Sequence, residues 1–182
     1  EEVEIKPRDV YIDELEIEEI NLETGEITFT VVCSKGTYIR SICRDVGLNL
    51  DCGAAMCALE RLASGVFSVE DAVDLEALRD AAVEEIESLL HPADYPLVHF
   101  GQGMVDRHGA KWFVNGGWLE LRRVDIRKRP EFEGNDKESK IPVKDIYRRM
   151  YNIYERENRN FLGTAYYDEE KKMLVPDKIF QR

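Results

Sequence analysis

Residues 27–46 read Ile-Thr-Phe-Thr-Val-Val-Cys-Ser-Lys-Gly-Thr-Tyr-Ile-Arg-Ser-Ile-Cys-Arg-Asp-Val, and the hydrophobic period changes inside this stretch. The first six residues are apolar or β-branched and alternate as in a strand. Beyond Gly36 the apolar residues recur every three or four positions, as on one face of a helix. The stretch therefore predicts a strand joined to a helix, with Gly36 permitting a sharp bend, Thr37 as N-cap and Gly47 as C-cap.

The segments on either side of this stretch extend the pattern. On the N-terminal side, residues 8–33 predict an antiparallel hairpin with its turn at 21–25. On the C-terminal side, 59–62 predict a short strand and 74–90 a single acidic amphipathic helix. Residues 91–96 hold two prolines and show no periodicity, so they predict a linker.

A second part of the chain follows the linker. It predicts a short helix closed by glycines at 109–117, a strand at 119–124 and a charged loop or insertion at 125–145. The end of the chain predicts a meander of three strands, at 151–154, 161–167 and 173–180. We therefore expect an α+β fold in two parts, 1–93 and 94–182.

The charge of the chain is strongly negative but unevenly spread. The net charge is -12 over 182 residues, and residues 1–32 alone hold 11 acidic and 2 basic side chains. Residues 66–95 hold 9 acidic and 1 basic side chain, whereas 33–65 and 96–182 are mildly basic. A nucleic acid could therefore bind the basic parts, with the acidic blocks serving as solvated faces.

Other features of composition limit the classes of function. No apolar run approaches the roughly 18 residues of a membrane helix, and no signal peptide is evident. The four cysteines lack CxxC spacing, so we expect reduced, mostly buried thiols in a cytoplasmic protein and no metal. The chain begins Glu1-Glu2 without an initiator Met, which suggests a processed, trimmed or excerpted chain.

Tyr38 and Arg40 are the most suggestive pair of side chains, because they lie in the predicted first turn of the helix, just after a glycine. A tyrosine ring can stack on a nucleobase, and a guanidinium can hold a carboxylate or phosphate. Lys35 adds a further cation. The ordinary alternative is a partly buried tyrosine and a surface arginine at an unremarkable helix start.

The residues offer no evident nucleophile for such a site. The nearest acids are Asp45, Asp51, Asp71 and Asp74, and none lies in a loop flanked by glycines. There is no Ser/His/Asp order, no phosphate-binding glycine loop and no His/Glu metal pair. On these grounds the chain is a two-part α+β protein with one suggestive loop.

A longer constellation resembles the bacterial tRNA pseudouridine synthase B (TruB) family. It runs through Val32-Cys33-Ser34-Lys35-Gly36-Thr37-Tyr38-Ile39-Arg40-Ser41, Asp45-Val46-Gly47, Cys52-Gly53-Ala54, Leu59-Glu60-Arg61-Leu62 and Gly65-Val66-Phe67. The tail, with Phe161-Leu162-Gly163-Thr164-Ala165 and Asp177-Lys178-Ile179-Phe180, is similar to the C-terminal domain of clostridial-type members. The resemblance implies the C-terminal half of a synthase catalytic domain over 1–93 and a PUA-like, RNA-binding β module over 94–182.

The resemblance also implies a function and its residues. The family converts the T-loop uridine of tRNA, position 55, to pseudouridine without cofactor or metal. Tyr38 matches the tyrosine that packs against the target base, Arg40 the arginine that pairs with the catalytic Asp, and Leu59 an apolar pocket residue. Lys35 and Gly36 match the motif and are expected to shape the loop. The family's Gly-x-Leu-Asp-Pro loop, which bears the nucleophile, is not found in these residues, so this chain alone is expected to be inactive.

Three functions remain open on the sequence. The chain is part of a tRNA-modifying enzyme, or a binding module in which 94–182 grip RNA through residues such as Lys111, Arg122 and Arg123, or a non-catalytic interaction protein. An incomplete mixed sheet also exposes an edge, so we expect self-association of the isolated chain through that edge.

Overall fold

The computed structural model describes residues 9–131 and 141–180, which form two compact units. The first unit contains the described residues up to Glu60 together with 141–142, and the second contains 61–131 and 143–180. Helices and sheets occur in both, so the α+β fold class is confirmed. The boundary expected at 93/94 is one between family domains. The compact units meet at Glu60 and Arg61, and they do not test that boundary.

A β-hairpin dominates the first unit, as predicted. Strand β1 (Ile12–Asn21) pairs antiparallel with β2 (Glu26–Cys33), and the pairing is irregular at two points, after Ile12 and after Ile17. Each irregularity gives β1 one extra residue, which brings its unevenly spaced apolar residues into register with those of β2. The resulting pairs, which share one face of the hairpin, are Ile12 with Cys33, Leu15 with Val31, Ile17 with Phe29, and Ile20 with Ile27.

The segment between the hairpin and the β module departs from the predictions. Residues 59–62 form no strand; the strands there are β3 (Ala63–Ser64) and β4 (Phe67–Ser68). The single helix expected at 74–90 is two short ones, α2 (Leu75–Asp80) and α3 (Val83–Leu89). The backbone is extended at Ala81 and Ala82, and neither helix has a buried residue, so no packed face holds one continuous helix together.

The rest of the described second unit is built around a six-stranded sheet with one α-helix against it, and three short 3-10 helices lie in its connections. The expected three-stranded meander is confirmed as β8 (Met150–Glu155), β9 (Phe161–Asp168) and β10 (Met173–Ile179). The other elements are β5 (Gly101–Val105), α4 (Arg107–Val114), β6 (Leu119–Glu120) and β7 (Asp125–Lys128). The strand order is β6-β10-β9-β8-β5-β7, antiparallel except that β5 runs parallel to β8.

The connection between the two edge strands forces this sheet to curl. Only residues 121–124 join Glu120 to Asp125, so the chain between them spans at most about 18 Å. A flat sheet of six strands would place its edges about 24 Å apart. The sheet therefore bends towards a barrel, and it encloses a core that includes Val105, Phe113, Ile153, Ala165 and Leu174.

Polar contacts fix the 91–96 segment and the adjoining Leu97 to the sheet of the second unit. The Tyr154 hydroxyl donates to Asp94 Oδ2 at 2.6 Å, and Asn152 Nδ2 donates to the Leu97 carbonyl at 3.0 Å. Burial, and secondarily the Asp94 carboxylate, raise the pKa of Tyr154 well above its ordinary value. The predicted linker is therefore held against strand β8.

We expect Tyr154→Phe to destabilise the second unit by about 1–3 kcal/mol, because the partly buried Asp94 carboxylate loses its donor. Urea unfolding at pH 7 measures the change. The raised pKa of Tyr154 stabilises the fold fully below the phenol's ordinary value of 10.0, and this stabilisation is lost as pH rises above it.

Tyr166→Phe is the matched control, since that tyrosine lies on β9 and its hydroxyl makes no hydrogen bond among the described residues. The alkaline loss of stability should be smaller in Tyr154→Phe than in this control. Equal stabilities of the two variants at pH 7 would contradict the role given to Asp94.

Candidate functional site

A tight turn joins β2 to the next helix. The Ser34 carbonyl accepts hydrogen bonds from the Thr37 amide at 3.3 Å and from the Thr37 hydroxyl at 2.9 Å. Gly36, the third residue of this turn, has a φ of +90°, and a Cβ there would meet no atom within 4 Å. Glycine is therefore required by backbone conformation and not by crowding.

Ser34 also ties this turn to the start of the hairpin. Its amide donates to the Tyr11 carbonyl at 2.8 Å, and its hydroxyl accepts from the Tyr11 amide at 3.0 Å. The two residues thus exchange hydrogen bonds just beyond the end of the β1–β2 pairing. This contact fixes where the turn leaves the sheet.

Helix α1 (Ile39–Asn49) starts directly after the turn and presents the two candidate side chains to solvent. Tyr38 is the N-cap residue without a side-chain cap, and it is 71% exposed. Thr37 is not the N-cap, because the helix starts two residues later and its hydroxyl is bonded to Ser34. Arg40, the second helical residue, is exposed, and so are Lys35 and Gly36. The alternative of a partly buried tyrosine does not describe Tyr38.

Gly47 has a different role from the predicted C-cap. The helix continues to Asn49, and Gly47 is its one buried residue. A Cβ at Gly47 would lie 2.2 Å from the Ala54 amide nitrogen, and the Gly47 carbonyl accepts from the amides of Cys52 and Gly53. The glycine is needed because the following loop packs directly on the helix backbone.

Two of the acids near the loop, Asp45 and Asp74, already have partners. The Asp45 carboxylate is paired with Arg44 at 2.8 Å, and Asp74 caps α2 by accepting from the Glu76 amide at 2.7 Å. No ion pair of Arg40 with a carboxylate occurs among residues 9–131 and 141–180. Leu59 is 59% exposed and lies in a segment without regular structure.

The three candidate RNA-binding cations lie in the second unit. Arg122 and Arg123 both approach Glu120: Arg122 makes a close hydrogen-bonded ion pair, and Arg123 Nη2 lies 3.8 Å from Glu120 Oε1. The hydrogen bond from Arg122 lowers the pKa of Glu120. Glu120 thus offsets part of this cationic charge. Lys111 is exposed in the last turn of α4, and no ion pair is found for it within the described part of the chain.

The cysteines differ from the prediction. All four are free thiols, but Cys52 and Cys57 are exposed and Cys33 and Cys43 half-buried, so the expectation of mostly buried thiols is wrong. In the described ranges, no three His, Cys, Asp or Glu side chains come together in a way that could hold a metal ion. None of the helices described is long and apolar enough to cross a bilayer.

Comparison with known proteins places the suggestive loop and the segment after it in a family. The model of the tRNA pseudouridylate synthase B C-terminal domain matches residues 40–98. The tRNA pseudouridine synthase B of Alkaliphilus oremlandii is 44% identical over 115 residues, which are 63% of this chain and 37% of that protein. The enzyme of the same name from Clostridium perfringens is 34% identical over 170 residues, 88% of this chain and 50% of that protein.

This chain belongs to the tRNA pseudouridine synthase B family. It spans between about a third and a half of the length of these relatives. The resemblance read from the motif is thereby confirmed.

Two solved structures share the fold of this family member. One is an H/ACA ribonucleoprotein bound to a substrate RNA containing 2'-deoxyuridine, with a TM-score of 0.69, 18% identity, and 96% of this chain and 56% of that chain covered. The other is the archaeal box H/ACA Nop10–Cbf5 complex, with a TM-score of 0.66, 21% identity and the same coverage. These similarities support the α+β fold.

The structure also identifies two site residues that the sequence alone did not single out for these roles. Ser34 anchors the turn, and Gly47 lets the 52–54 loop approach the helix. A Ser followed by Lys-Gly-Thr is a recognisable turn signal, but the partner of Ser34 is 23 residues away. Nothing local at Gly47 distinguishes a packing glycine from a helix-ending one.

We expect Gly47→Ala to destabilise the first unit of this family member by about 1–3 kcal/mol, because the added methyl group collides with backbone that cannot rotate away. Gly36→Ala should cost less, about 1 kcal/mol, because only the left-handed backbone is strained. Chemical denaturation followed by far-UV circular dichroism measures both.

Gly25→Ala serves as the control for strain without collision, since Gly25 has a φ of +71° and open space around the position of a Cβ. It should behave like Gly36→Ala. A Gly47→Ala variant as stable as the other two would show that the close approach of Ala54 is not required.

Proposed function

We propose that this chain is part of a tRNA pseudouridine synthase that isomerises the T-loop uridine at position 55, and that it supplies one wall of the uracil cavity. The observation that carries the proposal is the loop geometry. An exposed tyrosine and an arginine without a carboxylate partner among the described residues lie two positions apart, directly after an anchored glycine turn. The family match begins at this arginine.

The chemistry of the reaction suits these residue types. The target base has to leave the tRNA stack before its bond to the ribose is broken and re-formed at carbon. In the proposal the Tyr38 ring packs against the flipped base, with Leu59 lining the same pocket. Lys35 and Gly36 shape the loop that carries the ring.

Arg40 acts on the nucleophile in this proposal. A guanidinium beside a carboxylate favours the ionised form and fixes its direction. Apolar neighbours that exclude water strengthen the pairing. The 182 residues contain no Gly-x-Leu-Asp-Pro sequence, so the carboxylate is proposed to come from polypeptide other than these residues. We further propose a cytoplasmic site of action and a reaction without cofactor or metal.

The isolated chain should therefore show no turnover of T-loop RNA by tritium release. Combining it with the rest of a relative such as the C. perfringens enzyme should restore activity. In that reconstituted enzyme Arg40→Gln should lower kcat roughly 100-fold, because a misdirected nucleophile loses its attack geometry.

Arg44→Gln is the matched control, since Arg44 lies on the same helix, is exposed and is paired with Asp45. It should leave turnover nearly unchanged. Turnover by the isolated chain, or equal activities of the two variants, would contradict the proposal.

We also propose that the isolated chain self-associates through its hairpin. Within the described residues β1 and β2 pair only with each other, so each keeps a free edge. The apolar face beside those edges is exposed at Leu15, Ile17, Ile20 and Ile27. Free edges and an uncovered apolar face both favour pairing with another chain.

Light scattering at increasing protein concentration should show a rising mean mass for the isolated chain. Ile17→Lys should reduce this association, because it places a charge on the apolar face. Thr28→Lys, on the opposite face of the hairpin, makes the same change in net charge and is the control. A monomeric mass at every concentration would contradict self-association.

A further inference from the structure

A second surface of the chain has the make-up of a ligand site. Residues of β7, β8 and β9 line an open cavity of about 660 Å³ at the curled sheet. Its half-buried floor is formed by Ile126, Tyr151 and Tyr167, which pack against the core of the second unit. Its rim carries three consecutive cations, Arg127, Lys128 and Arg129.

The three cations differ in how far they are already neutralised. Arg127 is paired with Asp125 at 2.6 Å, and Lys128 is paired with Glu131 at 3.0 Å and donates to the Val98 carbonyl. For Arg129 no carboxylate partner is found in the described residues. Arg129 is therefore the rim charge best placed to take an anion from outside.

Arg129 lies near the aromatic floor of the cavity. Burial raises the pKa of Tyr151, and the charge of Arg129 opposes that rise, so the guanidinium and the phenol are close enough to interact. Gly101 makes room for the tyrosine ring, since a Cβ there would lie 2.5 Å from Tyr151 Cδ1. An aromatic surface and a cation for which the described residues supply no carboxylate partner thus face one cavity.

We propose that this cavity binds one nucleotide with an unpaired base, its phosphate on Arg129 and its base against Tyr151 and Tyr167. The proposal rests on the proposed function, in which the chain acts on RNA. A bare anion would gain nothing from the aromatic floor, and a neutral apolar ligand would gain nothing from Arg129. A nucleotide uses both, since every base has a stacking face and every phosphate a charge.

Two probes separate a free nucleotide from a nucleotide within RNA: uridine 5'-monophosphate and a single-stranded RNA pentamer. Both are titrated into the full 182-residue chain, with NMR of the backbone amides for the monophosphate and fluorescence anisotropy for the pentamer. We expect shifts confined to 126–129, 151 and 167, and tighter binding of the pentamer. Arg129→Gln should weaken pentamer binding about tenfold and make it less dependent on salt.

Arg156→Gln is the matched control, because Arg156 is exposed just beyond the opposite end of β8 from Tyr151. Tyr151→Leu keeps apolar bulk in the floor and should weaken binding without unfolding the chain, which thermal melting checks. Equal binding of the Arg129 and Arg156 variants, or no shifts at the cavity, would overturn the proposal. Tighter binding of the monophosphate than of the pentamer would overturn its assignment to RNA.

The proposed function fails by a different result. The reconstituted enzyme can be active on T-loop RNA while the cavity shows no shifts, in which case only the nucleotide site is refuted. An inactive reconstituted enzyme counts against the proposed function instead, whatever the cavity binds.

Discussion

The exchange of hydrogen bonds between Tyr11 and Ser34 is the constraint on which the candidate site depends. It fixes the position at which the chain leaves the hairpin and enters the turn. Gly36 then reverses the chain with a positive φ, and helix α1 starts within three residues. Because these steps leave little freedom, Tyr38 and Arg40 have a defined place relative to the sheet although neither is packed.

The first unit is held together by backbone contacts more than by a side-chain core. Gly47 is the one buried residue among those described in this unit, and what it buries is backbone against backbone. The apolar face of the hairpin stays open to solvent. The buried core side chains named above all belong to the curled sheet and α4 of the second unit. An exposed apolar face of this kind, next to a loop whose conformation is fixed, is typical of a surface that contacts another polypeptide.

Local sequence signals predicted the elements whose causes are local. The hairpin and the meander combine alternating apolar residues with strong turns, and both were predicted correctly. Strand β5 was missed because Gly101 and Gly103 lower its strand propensity, although each is needed where Tyr151 or Val124 crosses the backbone. The prediction of one helix at 74–90 was wrong, because periodicity cannot show whether the apolar face will be packed against another element and so stabilise a continuous helix.

In the candidate site, too, the features with local causes could be predicted from the sequence and those with tertiary causes could not. Its loop could be found from the motif, because a strand, a glycine and a helix start follow one another directly. The anchoring contact of Ser34 and the packing role of Gly47 could not, since their partners are set by tertiary structure. The nucleophile lies beyond any inference from these residues, because the motif that bears it in the family is absent from them.

Photocrosslinking would show whether the target base packs against Tyr38. T-loop RNA with 4-thiouridine at position 55 would be irradiated with the reconstituted enzyme, and the crosslinked peptide identified by mass spectrometry. Attachment is expected within residues 35–40, at or beside Tyr38. Crosslinks confined to other parts of the chain, with none in this loop, would contradict this role of Tyr38.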